Sequence, residues 1–116
     1  MAQATGIGGV FFRARDPEAL AAWYADHLGV GGGPAPWMQA PGATVFAPFP
    51  AETDYFPADR AFMLNFRVDD LDALVARLAE AGIEAERREE WDGPHGRFAR
   101  IHDPEGNPVE LWQPPL

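Results

Sequence analysis

The amino-acid sequence predicts an α+β fold built from two similar βαβββ modules. Three observations predict it. Runs rich in aromatic and β-branched residues stop twice at capped helix starts; a constant offset of 54 residues, the spacing of Phe12 and Phe66, superposes the two copies; and the second copy closes on short runs joined by a turn carrying Pro and Gly.

The first strand-like run, residues 7–14, ends at Asp16-Pro17-Glu18. Asp16 can cap orphan amides, Pro17 suits the first helical position, and Glu18 complements the positive end of the dipole. Leu20, Tyr24 and Leu28, with Trp23 beside them, then recur at helical spacing until Gly29, a residue able to take the left-handed terminal conformation. Residues 30–50 are rich in Gly and Pro, with apolar clusters at Trp37-Met38 and Thr44-Val45-Phe46 that predict short strands. A connecting segment follows. Its aromatics Phe49, Tyr55 and Phe56 have no periodic place.

The pattern restarts at Phe62. Met63 to Val68 alternates, Asp69-Asp70 caps, and Leu71, Leu74, Val75 and Leu78 line one helical face before Gly82. At the offset of 54, Arg13 falls on Arg67, Asp16 on Asp70, Ala19 on Ala73 and Leu20 on Leu74, so cap, strand phase and helix phase coincide. Strands are expected at about 83–88, 97–102 and 108–113, the last two joined by Asp103-Pro104-Glu105-Gly106-Asn107. The chain therefore reads as a single domain, with module one over about 6–50, a linker over about 51–60 and module two over about 61–114.

At 116 residues and 47% hydrophobic content the chain can bury one core. A formal charge of −9 argues against nucleic acid and anionic lipid as partners, because the long-range field repels both. With no cysteine there is neither a disulfide framework, a thiolate metal site nor a cysteine nucleophile. No basic-then-apolar leader and no membrane-length apolar run is present, so the expectation is a soluble, cytoplasmic protein.

Three segments carry a family resemblance. They are Arg15-Asp16-Pro17-Glu18 running through Trp23-Tyr24 to Leu28-Gly29, Phe66-Arg67-Val68-Asp69-Asp70-Leu71, and above all Asp103-Pro104-Glu105-Gly106-Asn107-Pro108-Val109-Glu110-Leu111-Trp112. In this order and spacing the chain resembles the glyoxalase/bleomycin resistance/dioxygenase, or vicinal oxygen chelate, superfamily. The resemblance implies curved mixed sheets around a cavity with helices on the outer faces, a homodimer, and commonly a divalent metal held by one residue from each of four strands. It spans lyases, isomerases, epimerases, ring-cleaving dioxygenases and metal-free proteins that sequester drugs. Carried over position by position, the metal ligands fall on Gly9, on the stretch Thr44 to Phe46, on Met63 and on Glu110. Only Glu110 is a suitable donor, and divalent ions want several protein ligands. The family's usual metal site is expected to be lost and no cofactor is expected, with a divalent metal bound through other residues as the alternative.

Strand alternation gives a separate argument about faces. Val10, Phe12 and Ala14, then Leu64, Phe66 and Val68, then Val109 and Leu111 form an apolar set that belongs under the helices. The opposite face carries Phe11 and Arg13, then Met63, Asn65 and Arg67, then Phe98, Arg100 and His102, then Glu110 and Trp112. With Trp37 these are the candidate ligand-binding residues, because aromatic walls with a few convergent polar groups line small-molecule pockets. If the turn pairs His102 with Pro108, Arg100 stands opposite Glu110, which then serves either in a cross-strand ion pair or as a base or anchor. His102 is the candidate for proton transfer, or else a structural hairpin histidine. His27 is expected to face solvent, and His95 lies in a polar loop able to cover a cavity mouth.

Three functions fit these residues. The first is a small-molecule binder without the usual metal site; the second a metal-dependent lyase or isomerase, or a dioxygenase-type enzyme, acting on a small oxygenated substrate; the third a non-catalytic interaction module. A homodimer fits all three, since sheet edges and unplaced aromatics gain from burial.

Overall fold

A computed structural model describes residues 2–116; Met1 lies outside them. The two helices form where the sequence predicts. Helix α1, Pro17–Leu28, starts with the Asp16 carboxylate accepting from the Ala19 amide at 3.1 Å and ends at Gly29, whose φ of 69° is the left-handed conformation that favours glycine. Helix α2, Leu71–Glu80, repeats the first device: Asp70 accepts from the Ala73 amide at 3.1 Å. The offset of 54 thus reproduces a cap and its partner together.

Three strands form one mixed sheet in the order β1-β3-β2. Strand β1, Leu64–Arg67, lies parallel to β3, Pro108–Gln113, and the chain between them runs through α2 and the intervening strand. Strand β2, Arg97–His102, is antiparallel to β3, with His102 paired to Pro108 and Arg100 to Glu110, the expected register. Residues 83–88 contribute one bridge, Glu86 to Arg100, rather than a full strand. A turn of 3₁₀ helix, Glu89–Trp91, precedes β2.

The face assignment holds in this half. Leu71, Leu78, Ala99, Ile101, Val109 and Leu111 are completely buried, with Leu20 and Tyr24 of α1 packed among them and Phe66, Val68, Leu74 and Val75 at the margin. The expectation for the first half is corrected. Residues 7–14 and the clusters at Trp37-Met38 and Thr44-Val45-Phe46 form no strand, and Val10, Phe11, Met38 and Phe46 are exposed. A strand is defined by a ladder partner, and these runs have none within the described residues. The second βαβββ expectation is met by a strand, a helix, one bridge and a hairpin, and the first by its helix alone.

The turn after β2 is one junction of the two halves. The Asp103 carboxylate, only 5% exposed, accepts from the Glu105 amide at 2.9 Å, the Asn107 amide at 3.0 Å, the Asn107 side-chain nitrogen at 2.8 Å and the Tyr24 hydroxyl of α1 at 2.7 Å. Gly106, at φ 81°, lets the chain reverse. Glu105 then reaches the start of α1, its oxygens accepting from the Arg15 amide at 2.6 Å and the Asp16 amide at 2.9 Å.

Replacing Asp103 by Ala should cost about 3 kcal/mol, because a buried Tyr24 hydroxyl and three turn donors lose a charged acceptor together. That corresponds to a melting temperature lower by roughly 10 °C. Glu105→Ala, which frees two exposed amides, should cost about 1 kcal/mol. Equal losses in urea unfolding would refute the ranking.

Candidate functional site

The sheet lays out its outer face in two rows. Asn65, Glu110 and Arg100 are register partners in one row, and Arg67, Trp112 and Phe98 in the next. All six alternate with the core residues, so they project away from α2, as the sequence predicts.

Glu110 is the centre of the first row. It is 8% exposed, and both of its oxygens are occupied: Oε1 accepts from Asn65 Nδ2 at 2.7 Å, and Oε2 accepts from the Tyr55 hydroxyl in a short contact. The ion pair with Arg100, one of the two roles the register allows Glu110, is not formed. The guanidinium instead lies over the Tyr55 ring, 4.8 Å from its centroid, and over Trp91 at 5.6 Å. Its Nε and Nη2 are buried and have no acceptor. On the far side of Arg100, Glu86 is also in register, but its carboxylate accepts from Arg88 at 2.7 Å.

Burial, then the hydrogen bond to Glu110 and its charge, push the Tyr55 phenol up to about 12, with Arg100 pulling the other way. Tyr55 therefore stays a donor over the whole neutral range. The same causes, with Asp103 in the role of Glu110, hold the Tyr24 phenol well above its ordinary value.

In the second row Phe98 and Trp112 stack at 6.3 Å with an interplanar angle of 7°. The indole Nε1 donates to the His95 carbonyl at 2.7 Å, which ties down the loop before β2. That loop closes so tightly at Gly96, φ 121°, that a Cβ there would stand 2.3 Å from the Gln113 carbonyl oxygen. Arg67 Nη2 donates to the Ala40 carbonyl at 2.9 Å, while its Nη1 is buried without a partner. Gly42 lies directly against that guanidinium.

Of the remaining candidates, Met63 immediately precedes β1 and is half-buried. His102 is exposed at the end of β2, diagonal to Glu110 across the β2–β3 pair, and the Glu110 oxygens accept from Asn65 and Tyr55 rather than from it. Three candidates are not brought to this face. Phe11 is 94% exposed, Trp37 packs edgewise on Phe66 at 6.4 Å beside the core face, and Arg13 lines a separate open cleft of about 510 Å³ with Arg15, Arg60 and Glu105. All three sit on the runs that found no strand partner. His27, expected to face solvent, is half-buried with its ring 5.4 Å from Trp23.

Tyr55 and Trp91 are the residues that periodicity missed. Tyr55 belongs to the linker, where its ring contacts Phe49 at 5.7 Å and Trp91 at 6.5 Å. Tyr55 stands beside Glu110, with Trp91 against its ring. The only available signal was an aromatic in a polar segment with nowhere apolar of its own to go.

An α+β chain with this hairpin and a carboxylate at the centre of its last strand has the make-up of a glyoxalase-like protein. A family model described as Glyoxalase-like domain matches residues 9–112, so the chain belongs to that family, within the vicinal oxygen chelate superfamily. Among solved structures it is similar over 99% of its length, and over all of the other chain, to TnmS3, an antibiotic binding protein from Streptomyces sp. CB03234, at 27% identity and a TM-score of 0.61. It also resembles a glyoxalase/bleomycin resistance protein from the same Streptomyces, at 38% identity over 53% of this chain and 54% of that one, with a TM-score of 0.36. A glyoxalase family protein from Enterococcus faecalis is 34% identical over 56% of this chain and 52% of that one, with a TM-score of 0.41. No curated protein matches.

The residues present do not fit the family's metal. Gly9 and Met63 offer no hard donor, the Thr44–Phe46 stretch is not in the sheet, and both Glu110 oxygens are already hydrogen-bonded. Among the described residues no group of three or more His, Cys, Asp or Glu side chains is gathered closely enough to hold an ion.

Both tyrosines should resist ionisation. Unfolded phenols titrate near pH 10, so in the native protein phenolate absorbance should stay absent until about pH 11, and appear near 10 in urea. Because the folded-state value is raised, the stability it represents is complete below pH 10 and is lost as pH climbs from about 10 toward about 12. A native titration centred at 10 for both phenols would contradict the two carboxylate contacts.

Proposed function

We propose that this protein binds a small organic molecule on the outer face of its sheet, without the metal site usual in its superfamily. The observation that carries this reading is the spent state of Glu110. The one carboxylate at a family ligand position is consumed by Tyr55 and Asn65, and around it stand Tyr55, Trp91, Phe98 and Trp112, an aromatic surface with little catalytic equipment. The full-length likeness to an antibiotic binding protein supports the same class of ligand. Glu110 and His102 act here as a wall and a rim rather than as an acid–base pair.

The working form is a homodimer in the cytoplasm. Ile7, Val10, Phe11, Val45 and Phe46 belong to strand-like runs that one chain leaves exposed, and a second copy can supply both their ladder partners and the far wall of the site. The absence of cysteine fits a reducing compartment. Among the described residues no helix is long and apolar enough to cross a membrane.

A panel of polycyclic aromatic antibiotics should raise the melting temperature, since a ligand preferring the native state stabilises it. Trp112→Ala should weaken the best binder roughly tenfold through lost stacking. A panel that stabilises nothing, with a divalent metal stabilising instead, would overturn the reading. Light scattering at micromolar concentration should give twice the 12.7 kDa chain mass, and a monomer mass would remove the dimer.

A further inference from the structure

The Arg100 guanidinium is short of hydrogen-bond acceptors. Its register neighbours on both sides are carboxylates, yet it bonds to neither: both Glu110 oxygens accept from Tyr55 and Asn65, and Glu86 turns its Oε2 to Arg88. What it does have is aromatic company, Tyr55 at 4.8 Å and Trp91 at 5.6 Å, which holds the cation but accepts no N–H in the plane of the fork. Nε and Nη2 are buried with no partner, and these two donors form one edge of the planar group, the edge that meets a carboxylate with two parallel bonds. Buried donors left unmade are costly, so the arrangement is incomplete as it stands.

Arg67 makes the contrast. It too has a buried orphan nitrogen, but its other terminal nitrogen holds the Ala40 carbonyl at 2.9 Å and Gly42 packs on it, so that arginine clamps a loop. Arg100 clamps nothing. The side chains over it, Tyr55 and Trp91, come from the linker and from the short 3₁₀ turn, segments that shift more readily than strands. Two positions along the same face, Phe98 and Trp112 offer parallel rings to a flat ligand.

Resting on the small-molecule reading above, we infer that the ligand is a planar aromatic acid whose carboxylate or ionised phenol takes the free Nε–Nη2 edge of Arg100 beneath the Tyr55 and Trp91 rings, with its ring system against Phe98 and Trp112. The chain's charge of −9 slows an anion's approach but does not decide the contact, because fields beyond about 8 Å are screened at physiological ionic strength.

The test compares 2-naphthoate with 2-naphthamide, flat probes of nearly equal shape that differ in charge, by calorimetry on the full chain. The acid should bind at least tenfold more tightly than the amide, and Arg100→Met should bring that ratio to about one. Should the methionine variant fail to fold, Arg100→Lys keeps the charge without the fork and should cut the ratio severalfold. In the unsubstituted protein the Arg100 Nε–H resonance should move on adding the acid and stay in place with the amide. Equal affinities for acid and amide would overturn the acid anchor while leaving a small-molecule site intact. No binding of either probe, in a protein that binds other aromatic compounds by thermal shift, would likewise overturn the anchor, and no binding of any compound would remove the wider reading as well.

Discussion

The Asp103 carboxylate is the contact on which the rest of this structure depends. It gathers the amides of its own turn and the Tyr24 hydroxyl of α1 at one buried point, so one carboxylate ties the hairpin to the first helix. That turn fixes His102 opposite Pro108, and from that pair the register carries Arg100 to Glu110 and Phe98 to Trp112. A slip of one residue would turn every one of these side chains to the core face. Site geometry is therefore decided at the turn, and Glu105, bound to the amides at the start of α1, holds the same turn from the other side.

The two helix starts separate what recurs along the chain from what does not. Asp16 with Ala19 and Asp70 with Ala73 make the same cap at the same distance, because a helix start has a local chemical requirement that both helices must meet. Metal coordination has no such local enforcement. It needs donors from distant strands at once, and with Gly9 and Met63 at two of those positions the remaining Glu110 is bound by neutral partners from this chain. The fold persists because its determinants are caps, turn and core.

The sequence was legible where the determinant is local or periodic. Both helices with their caps, the face phase of Leu64–Arg67 and Pro108–Gln113, and the Arg100–Glu110 register follow from capping chemistry, alternation and the turn residues Asp103 to Asn107. The strand-like runs at 7–14 and 44–46 carry the right composition, but composition states only that a residue suits a ladder and not that a partner lies in the same chain. Tyr55 and Trp91 were invisible for a different reason. Each reaches the site from irregular segments, where no period ties sequence position to direction.

The fate of Glu110 shows how such a loop residue changes the outcome. By register alone Arg100 is its partner, but the carboxylate is only 8% exposed, and a buried ion pair must offset the desolvation of both charges, which leaves its net contribution small. Two hydrogen bonds to the carboxylate, from Asn65 on the neighbouring strand and from Tyr55 in the linker, contribute about 1.5–3 kcal/mol each when the group is buried. The larger contribution wins, and the arginine turns to the ring of the residue that displaced it, 4.8 Å away. Tyr55 thus does two things with one side chain: its hydroxyl occupies the carboxylate and its face holds the cation, so the linker between the two halves sets the charge arrangement of the site.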